Sequence, residues 1–214
     1  MRSVIIVQQR ARNTRLHDKG TRALFRGQEV TSVTVEVLRL CKKIRNADLV
    51  VLAVPEGVDD DIWADEARVA GVEFFRGPEK DVLRRYRLAA DHFEADVVLR
   101  VTADCPLLNP EECERVLDKV LSGGHDFAAN SGDGSFSLGW SCEAFTVELL
   151  READNWSVSQ SAREHVGPGP RSNARNPAFI MIPEEGKELR PSLDTWEDYL
   201  AIRAIFRQMR KEAA

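Results

Sequence analysis

The sequence predicts an α/β fold with a mainly parallel sheet, on two observations. Short, unbroken apolar runs recur along the first half of the chain, beginning with Val4, Ile5, Ile6 and Val7. Between them lie longer segments whose apolar residues repeat at helical spacing, as in Val30, Val33, Val37, Leu40 and Ile44. A strand buried on both faces needs an unbroken apolar run, and strands alternating with helices make βαβ units. A chain of 214 residues fits one domain of this kind. It can bury enough surface to fold without a disulfide or a structural metal.

Taken in order, residues 4–7 form a first strand, and the polar, basic, glycine-punctuated stretch 8–27 forms a long loop. A helix is expected over 28–44, with Lys42, Lys43 and Arg45 near its C-terminal end, where cations suit the helix dipole. Strands at 49–54, 72–75 and 96–101 alternate with helices at 59–70, 79–93 and 110–121. Gly71 and the Gly123-Gly124 pair stop two of those helices. The second half is less regular, with strands expected at 139–145 and 179–182 and helices at 147–153, 157–166 and 195–211. Gly167-Pro168-Gly169-Pro170 is read as a chain break. With no repeat and no low-complexity linker, one domain over 1–214 is expected.

The formal net charge of -5 argues against general nucleic-acid binding. Charge is unevenly spread, however. Residues 1–26 hold Arg2, Arg10, Arg12, Arg15, Lys19, Arg22 and Arg26 against the single acid Asp18. A positive patch on an acidic chain suits a small anionic ligand, and also a solvated basic face. Cys41, Cys105, Cys113 and Cys142 show no C-x-x-C spacing and no histidine at zinc-finger distance, so free thiols in a reducing cytosol are expected. The first apolar run is too short for a signal peptide core or a membrane span, so a cytoplasmic protein without a membrane partner is expected.

Ligands of parallel α/β sheets sit at the carboxyl ends of the strands. Three segments leave strands there, at 8–19, 54–61 and 102–110. The first offers Gln8, Arg10, Arg12, Asn13, Thr14, Arg15 and Lys19, which combine the cations, amides and hydroxyl that grip phosphate. It lacks the G-x-x-x-x-G-K-[ST] pattern of a Walker loop. The third holds Asp104, placed either to bind Mg²⁺ against phosphates or to cap a turn. Further on, Asp194 or Thr195 is positioned to cap the last helix.

Together these segments resemble the family 3 cytidylyltransferases. That family includes the CMP-sialic acid and CMP-Kdo synthetases and the spore coat polysaccharide proteins of the SpsF type, which are the most similar. The family's Q-A-R-x-x-S-T-R-L-P-x-K falls on Gln8, Gln9, Arg10, Asn13, Thr14, Arg15, Leu16, His17 and Lys19. F-R-G-x-x-x-D-V-L-x-R-Y falls on Phe75, Arg76, Gly77, Asp81, Val82, Leu83, Arg85 and Tyr86. R-x-T-x-D-C-P falls on Arg100, Thr102, Asp104, Cys105 and Pro106, and R-E-H-V on Arg163, Glu164, His165 and Val166. V-D-T-P-E-D falls on Leu193, Asp194, Thr195, Trp196, Glu197 and Asp198. The chain departs where the family has Gly, Ser and Pro at Arg12, Asn13 and His17, A-T-S-D at Ala53-Val54-Pro55-Glu56, and an acid at Ser141.

The resemblance implies a nucleotide-diphospho-sugar transferase fold, a Rossmann-like, GT-A-like three-layer sandwich. It implies transfer of CMP from CTP to an acidic sugar or sugar-like acceptor, with release of pyrophosphate. In that reading Arg10, Arg15 and Lys19 neutralise the triphosphate; with Arg12 in place of the family's Gly, either the loop takes another path or Arg12 adds a guanidinium to the phosphates. Asp104 and Asp194 hold Mg²⁺, Arg76, Asp81 and Arg85 line the nucleotide or acceptor side, and Glu143 and His165 face the acceptor. A homodimer is also implied, in contact through segments after Gly132. Two alternatives stay open: a nucleotide-binding relative without catalysis that serves a pathway partner, and a transferase that uses another nucleotide or acceptor.

Overall fold

A computed structural model describes residues 1–11, 16–26, 29–130, 142–180 and 192–212. Its main sheet has seven strands in the order β5-β4-β1-β6-β8-β7-β9. The first four are β5 (Glu73–Gly77), β4 (Leu49–Pro55), β1 (Ser3–Gln8) and β6 (Val97–Thr102), and they run parallel. Next come β8 (Glu143–Thr146), β7 (Phe127–Ala129) and β9 (Pro177–Phe179); only β8 runs against the other strands described in this sheet. The expected α/β class and mainly parallel sheet are therefore present.

Alternation along the strands sorts the core into two layers. Ile5, Val7, Leu52, Val54, Leu99 and Val101 face α1 (Val33–Cys41), α2 (Ile62–Ala70) and α4 (Pro110–Leu121). Val4, Ile6, Val51, Ala53 and Val98 face α3 (Val82–His92) and α5 (Val147–Trp156). The sheet is thus sandwiched between two helical layers. The Tyr86 hydroxyl lies 3.0 Å from the Ile6 carbonyl and 3.2 Å from that of Val101, a buried tie between α3 and the central strands.

Several boundaries differ from the sequence reading. The expected helix at 28–44 starts only at Val33; Val30 lies in β3 (Glu29–Ser32), which pairs with β2 (Ala23–Arg26) as a small hairpin inside the expected loop. Ser32 ends the hairpin and caps α1, its hydroxyl accepting from the Val35 amide at 3.0 Å. The Gly-Pro-Gly-Pro run does not break the chain. Pro168 opens the short helix α7 (Pro168–Asn173), because a proline at the first helical position gives up an amide with no helical partner. A third cluster, of Leu16, Leu24, Val33, Leu193, Tyr199, Ile202 and Phe206, packs the closing helix α8 (Trp196–Glu212) on the hairpin. The four cysteines are free and buried. Among the described residues no helix is long and apolar enough to cross a membrane.

Candidate active site

The site lies where the strand order turns back on itself, between the carboxyl ends of β1 and β6. Gln8 is registered there between Ala53 and Thr102. A cavity of about 150 Å³ opens at this point, and Gln8, Arg10, Lys19, Asp104, His165 and Asp194 are among its lining residues. Six predicted site residues from four distant stretches of sequence therefore meet. Arg12, Asn13, Thr14 and Arg15 lie outside the described residues, as does Ser141.

At the centre is one cation between two acids. The Lys19 ammonium donates to Asp104 at 2.6 Å and lies 3.5 Å from Asp194. Burial pushes the Asp104 carboxyl up, but the Lys19 charge and hydrogen bonds from Lys19, Thr102 and Cys105 outweigh it and hold the group below its ordinary range. Backbone pairing brings the two acids together, because the Leu193 amide donates to the Asp104 carbonyl at 2.8 Å. The capping role considered for Asp194 falls instead to its neighbours. The Thr195 hydroxyl accepts from the Asp198 amide at 3.2 Å, and the Asp198 carboxylate accepts from the Thr195 amide at 2.8 Å. Asp194 is left to face Lys19.

His165 reaches the cavity from α6 (Gln160–His165), whose exit is strained. Val166 has φ 61 and ψ -66, and the Gly167 amide donates to the His165 carbonyl at 2.7 Å. This is a three-residue γ-turn with positive central φ at a buried β-branched residue, a conformation that costs on the order of 1–3 kcal/mol. Gly167 is required there because a Cβ would stand 2.1 Å from the Glu143 carboxylate.

Glu143 does not line the cavity. It is buried and held by Arg100 at 3.0 Å and Arg171 at 3.5 Å, so it acts as the seat of the turn rather than as an acceptor ligand. The trio Arg76, Asp81 and Arg85 is also occupied elsewhere. Arg76 donates to the Gly57 carbonyl at 3.0 Å and pairs with Asp61. Asp81 caps α3 by accepting from the Arg84 amide at 3.0 Å, and meets Arg163 at 3.3 Å. Arg85 is 2% exposed and donates to the Pro78 carbonyl at 2.9 Å, and burial lowers its pKa. Helix capping and buried-strut roles use the same residue types as ligand binding, which is why sequence spacing alone could not separate them.

Two contributors were missed. Glu164 lines the cavity beside His165 and lies 3.7 Å from Arg10. The signal was present, since Glu164 shares a motif with His165. Arg10 and Glu164 also border a second, wider cavity of about 560 Å³, lined on its far side by Pro55, Glu56, Asp59, Asp60 and Lys80. Asp60 is the second, and nothing in the acidic run Asp59-Asp60-Asp61 marked it.

Comparison with known proteins bears on the family and the fold. The family profile described as Cytidylyltransferase matches residues 4–176. The spore coat polysaccharide biosynthesis protein SpsF of Bacillus subtilis is 25% identical over 210 residues, covering 96% of this chain and 86% of that one. The structure of a cytidylyltransferase from Leptospira borgpetersenii superposes with a TM-score of 0.87 at 28% identity, covering 97% of this chain and 87% of that one. A CMP:2-keto-3-deoxy-manno-octonic acid synthetase complexed with CTP shares the fold, with a TM-score of 0.72 at 13% identity and coverage of 97% and 99%.

Proposed function

This chain belongs to the cytidylyltransferase family, and from that premise we propose that it transfers CMP from CTP to an acidic sugar or sugar-like acceptor, releasing pyrophosphate, in surface polysaccharide or glycoconjugate biosynthesis. The observation that carries this reading is Lys19 set between Asp104 and Asp194 at the β1–β6 crevice. Arg10 lines both cavities, so a ligand that spans them passes a guanidinium. Gln8 adds a buried side-chain oxygen with no hydrogen-bond partner among the described residues.

The acceptor oxygen attacks the α-phosphorus. One O–P bond forms, the bond to the bridging oxygen of pyrophosphate breaks, and the acceptor hydroxyl gives up its proton. Such transfers depend on positioning and charge neutralisation more than on covalent help. Arg10 and Lys19 supply fixed positive charge to the phosphates, and the His165 ring is available to receive the proton. Among the described residues no group of three or more His, Cys, Asp or Glu side chains is placed to hold a metal ion by itself. Mg²⁺ commonly uses one or two carboxylates together with substrate phosphates, so the pair fits it. Asp104 and Asp194 would hold Mg²⁺, which when bound neutralises phosphate oxygens and activates the acceptor.

The test is pyrophosphate release with CTP, Mg²⁺ and a panel of acidic sugars, alongside thermal shifts with each of the four nucleoside triphosphates. A CTP-specific shift with pyrophosphate release from at least one acceptor supports the reading. If CTP neither raises the melting point nor yields pyrophosphate, the reading fails. A homodimer, proposed from the same kinship, is checked by light scattering.

A further inference from the structure

The two ends of the basic loop are stitched to one buried polar patch. At the first end, the Ala11 amide donates to Asp60 Oδ1 at 2.7 Å. The Trp63 indole donates to the same oxygen at 2.9 Å. Asp60 is 7% exposed and Trp63 2%. Next door, the Arg10 amide donates to Gln9 Oε1 at 2.9 Å, and Gln9 Nε2 donates to the Thr34 hydroxyl at 2.7 Å. At the other end Gly20, the neighbour of Lys19, leaves no room for a side chain. A Cβ there would stand 2.2 Å from Gln9 Nε2, 2.6 Å from the Trp63 ring and 2.7 Å from the Thr34 hydroxyl. Gln9, Thr34 and Trp63 thus crowd Gly20, Gln9 links that end to Arg10, and Asp60 links Trp63 to Ala11 through one anionic oxygen.

We propose that Asp60 is a positioning residue for nucleotide binding, holding Arg10 and Lys19 in one fixed relation through Ala11, Trp63 and Gly20. The proposal rests on the nucleotide reading above. A carboxylate oxygen that accepts two N–H groups makes charge-assisted bonds, which are stronger than neutral ones. Cations held in place lose less freedom when the phosphates arrive, so the benefit appears as affinity. Asp60 also borders the wider cavity, and a direct contact with ligand there is the competing explanation.

Trp63→Phe separates the two, because it removes the indole N–H and leaves Asp60 itself in place to meet a ligand; the smaller ring also loosens the packing beside Gly20, so the melting point is measured with it. Calorimetric titration of CTP with Mg²⁺ should give roughly tenfold weaker binding for Asp60→Ala. Trp63→Phe should weaken binding several-fold, Asp60→Asn should keep most of the affinity, and the double variant Asp60→Ala/Trp63→Phe should be no weaker than Asp60→Ala alone. Where CTP is turned over, KM should rise while kcat changes little. Unaltered affinity in Trp63→Phe beside a large loss in Asp60→Ala overturns the positioning role in favour of direct contact. Lowered melting points with unaltered affinity overturn it in favour of plain structure. Amide exchange of the ligand-free protein supplies a readout independent of nucleotide: Asp60→Ala should speed exchange at 9–11 and at 20–21 together. If the wild type binds no CTP, the nucleotide reading fails, and the exchange result still decides the anchoring.

Discussion

Two clusters of charge in the molecule are built in opposite proportions. At the β1–β6 crevice one lysine serves two acids, Asp104 and Asp194, whose side chains are 22% and 25% exposed. Around α3 four arginines meet three acids, Arg84, Arg87, Arg151 and Arg163 against Asp81, Asp91 and Asp154. Asp154, 6% exposed, meets Arg163 and Arg87, the latter at 3.0 Å, with Arg84 at 4.0 Å. The second cluster is centred on a buried acid, and it ties α3, α5 and α6 together. Among the described residues the first sets one lysine against two acids and opens to solvent. The balance of charge and the opening, more than the residue types, mark which cluster is a site.

The largest effect that would sharpen this contrast is at Asp104. Asp104→Ala should cost roughly 10³-fold in pyrophosphate release while the protein stays folded, because Lys19 keeps Asp194 as a partner. Near-normal turnover in that variant would falsify the role of the acid pair. Asp154→Ala should do the reverse. It leaves Arg163 with Asp81 and Arg87 with Asp91 but removes the buried acid that joins them, so stability should fall by roughly 1–2 kcal/mol while the folded fraction keeps its turnover. Chemical denaturation and activity per folded molecule measure the two sides. If both variants lose activity and neither loses stability, the distinction collapses.

Glu143 resembles Asp154 and tests the rule on a residue whose sequence position suggested acceptor binding. It is paired with Arg100 and Arg171 and supports Gly167. Glu143→Gln should lower stability by roughly 1–2 kcal/mol and leave the acceptor KM within about threefold. A large rise in acceptor KM at unchanged stability would return Glu143 to the site.

How much of this was legible in the sequence follows from the same physics. Apolar runs and helical spacing report burial directly, so β1, β4, β6 and α4 emerged close to their observed limits. The β2–β3 hairpin was missed because Leu24 packs against α8, from the far end of the chain, and local pattern does not show that contact. The short β7, Phe127–Ala129, offers too few residues for a period to register. Lys19, Asp104 and Asp194 were found because separate motifs converged on one chemistry. Asp60 lay inside the flagged segment 54–61 but was not distinguished from Asp59 and Asp61, because its role depends on Ala11 and Trp63 meeting at one oxygen, which only the fold brings about.

The smallest expected effect is the response of the two clusters to acid. Asp104 has a folded pKa below its unfolded value, set against burial by Lys19. Asp91, in the arginine-rich cluster, is also lowered: burial pushes it up, and Arg151 and Arg87 pull it further down. For a depressed carboxyl, the stabilisation is present above the unfolded pKa, about 4, and is lost as pH falls through the folded value. Both acids should therefore lose their contribution in the same acid window and hold it at neutral pH. Asp104→Asn and Asp91→Asn should each flatten the fall in melting temperature below about pH 4, by roughly one to three degrees. The clusters part at neutral pH with metal added. Mg²⁺ should raise the melting point of the wild type and of Asp91→Asn, and leave Asp104→Asn unmoved, because the proposed Mg²⁺ site uses Asp104 and not Asp91. A Mg²⁺ response that survives in Asp104→Asn would place the cation elsewhere, and charge balance would then no longer tell the two clusters apart.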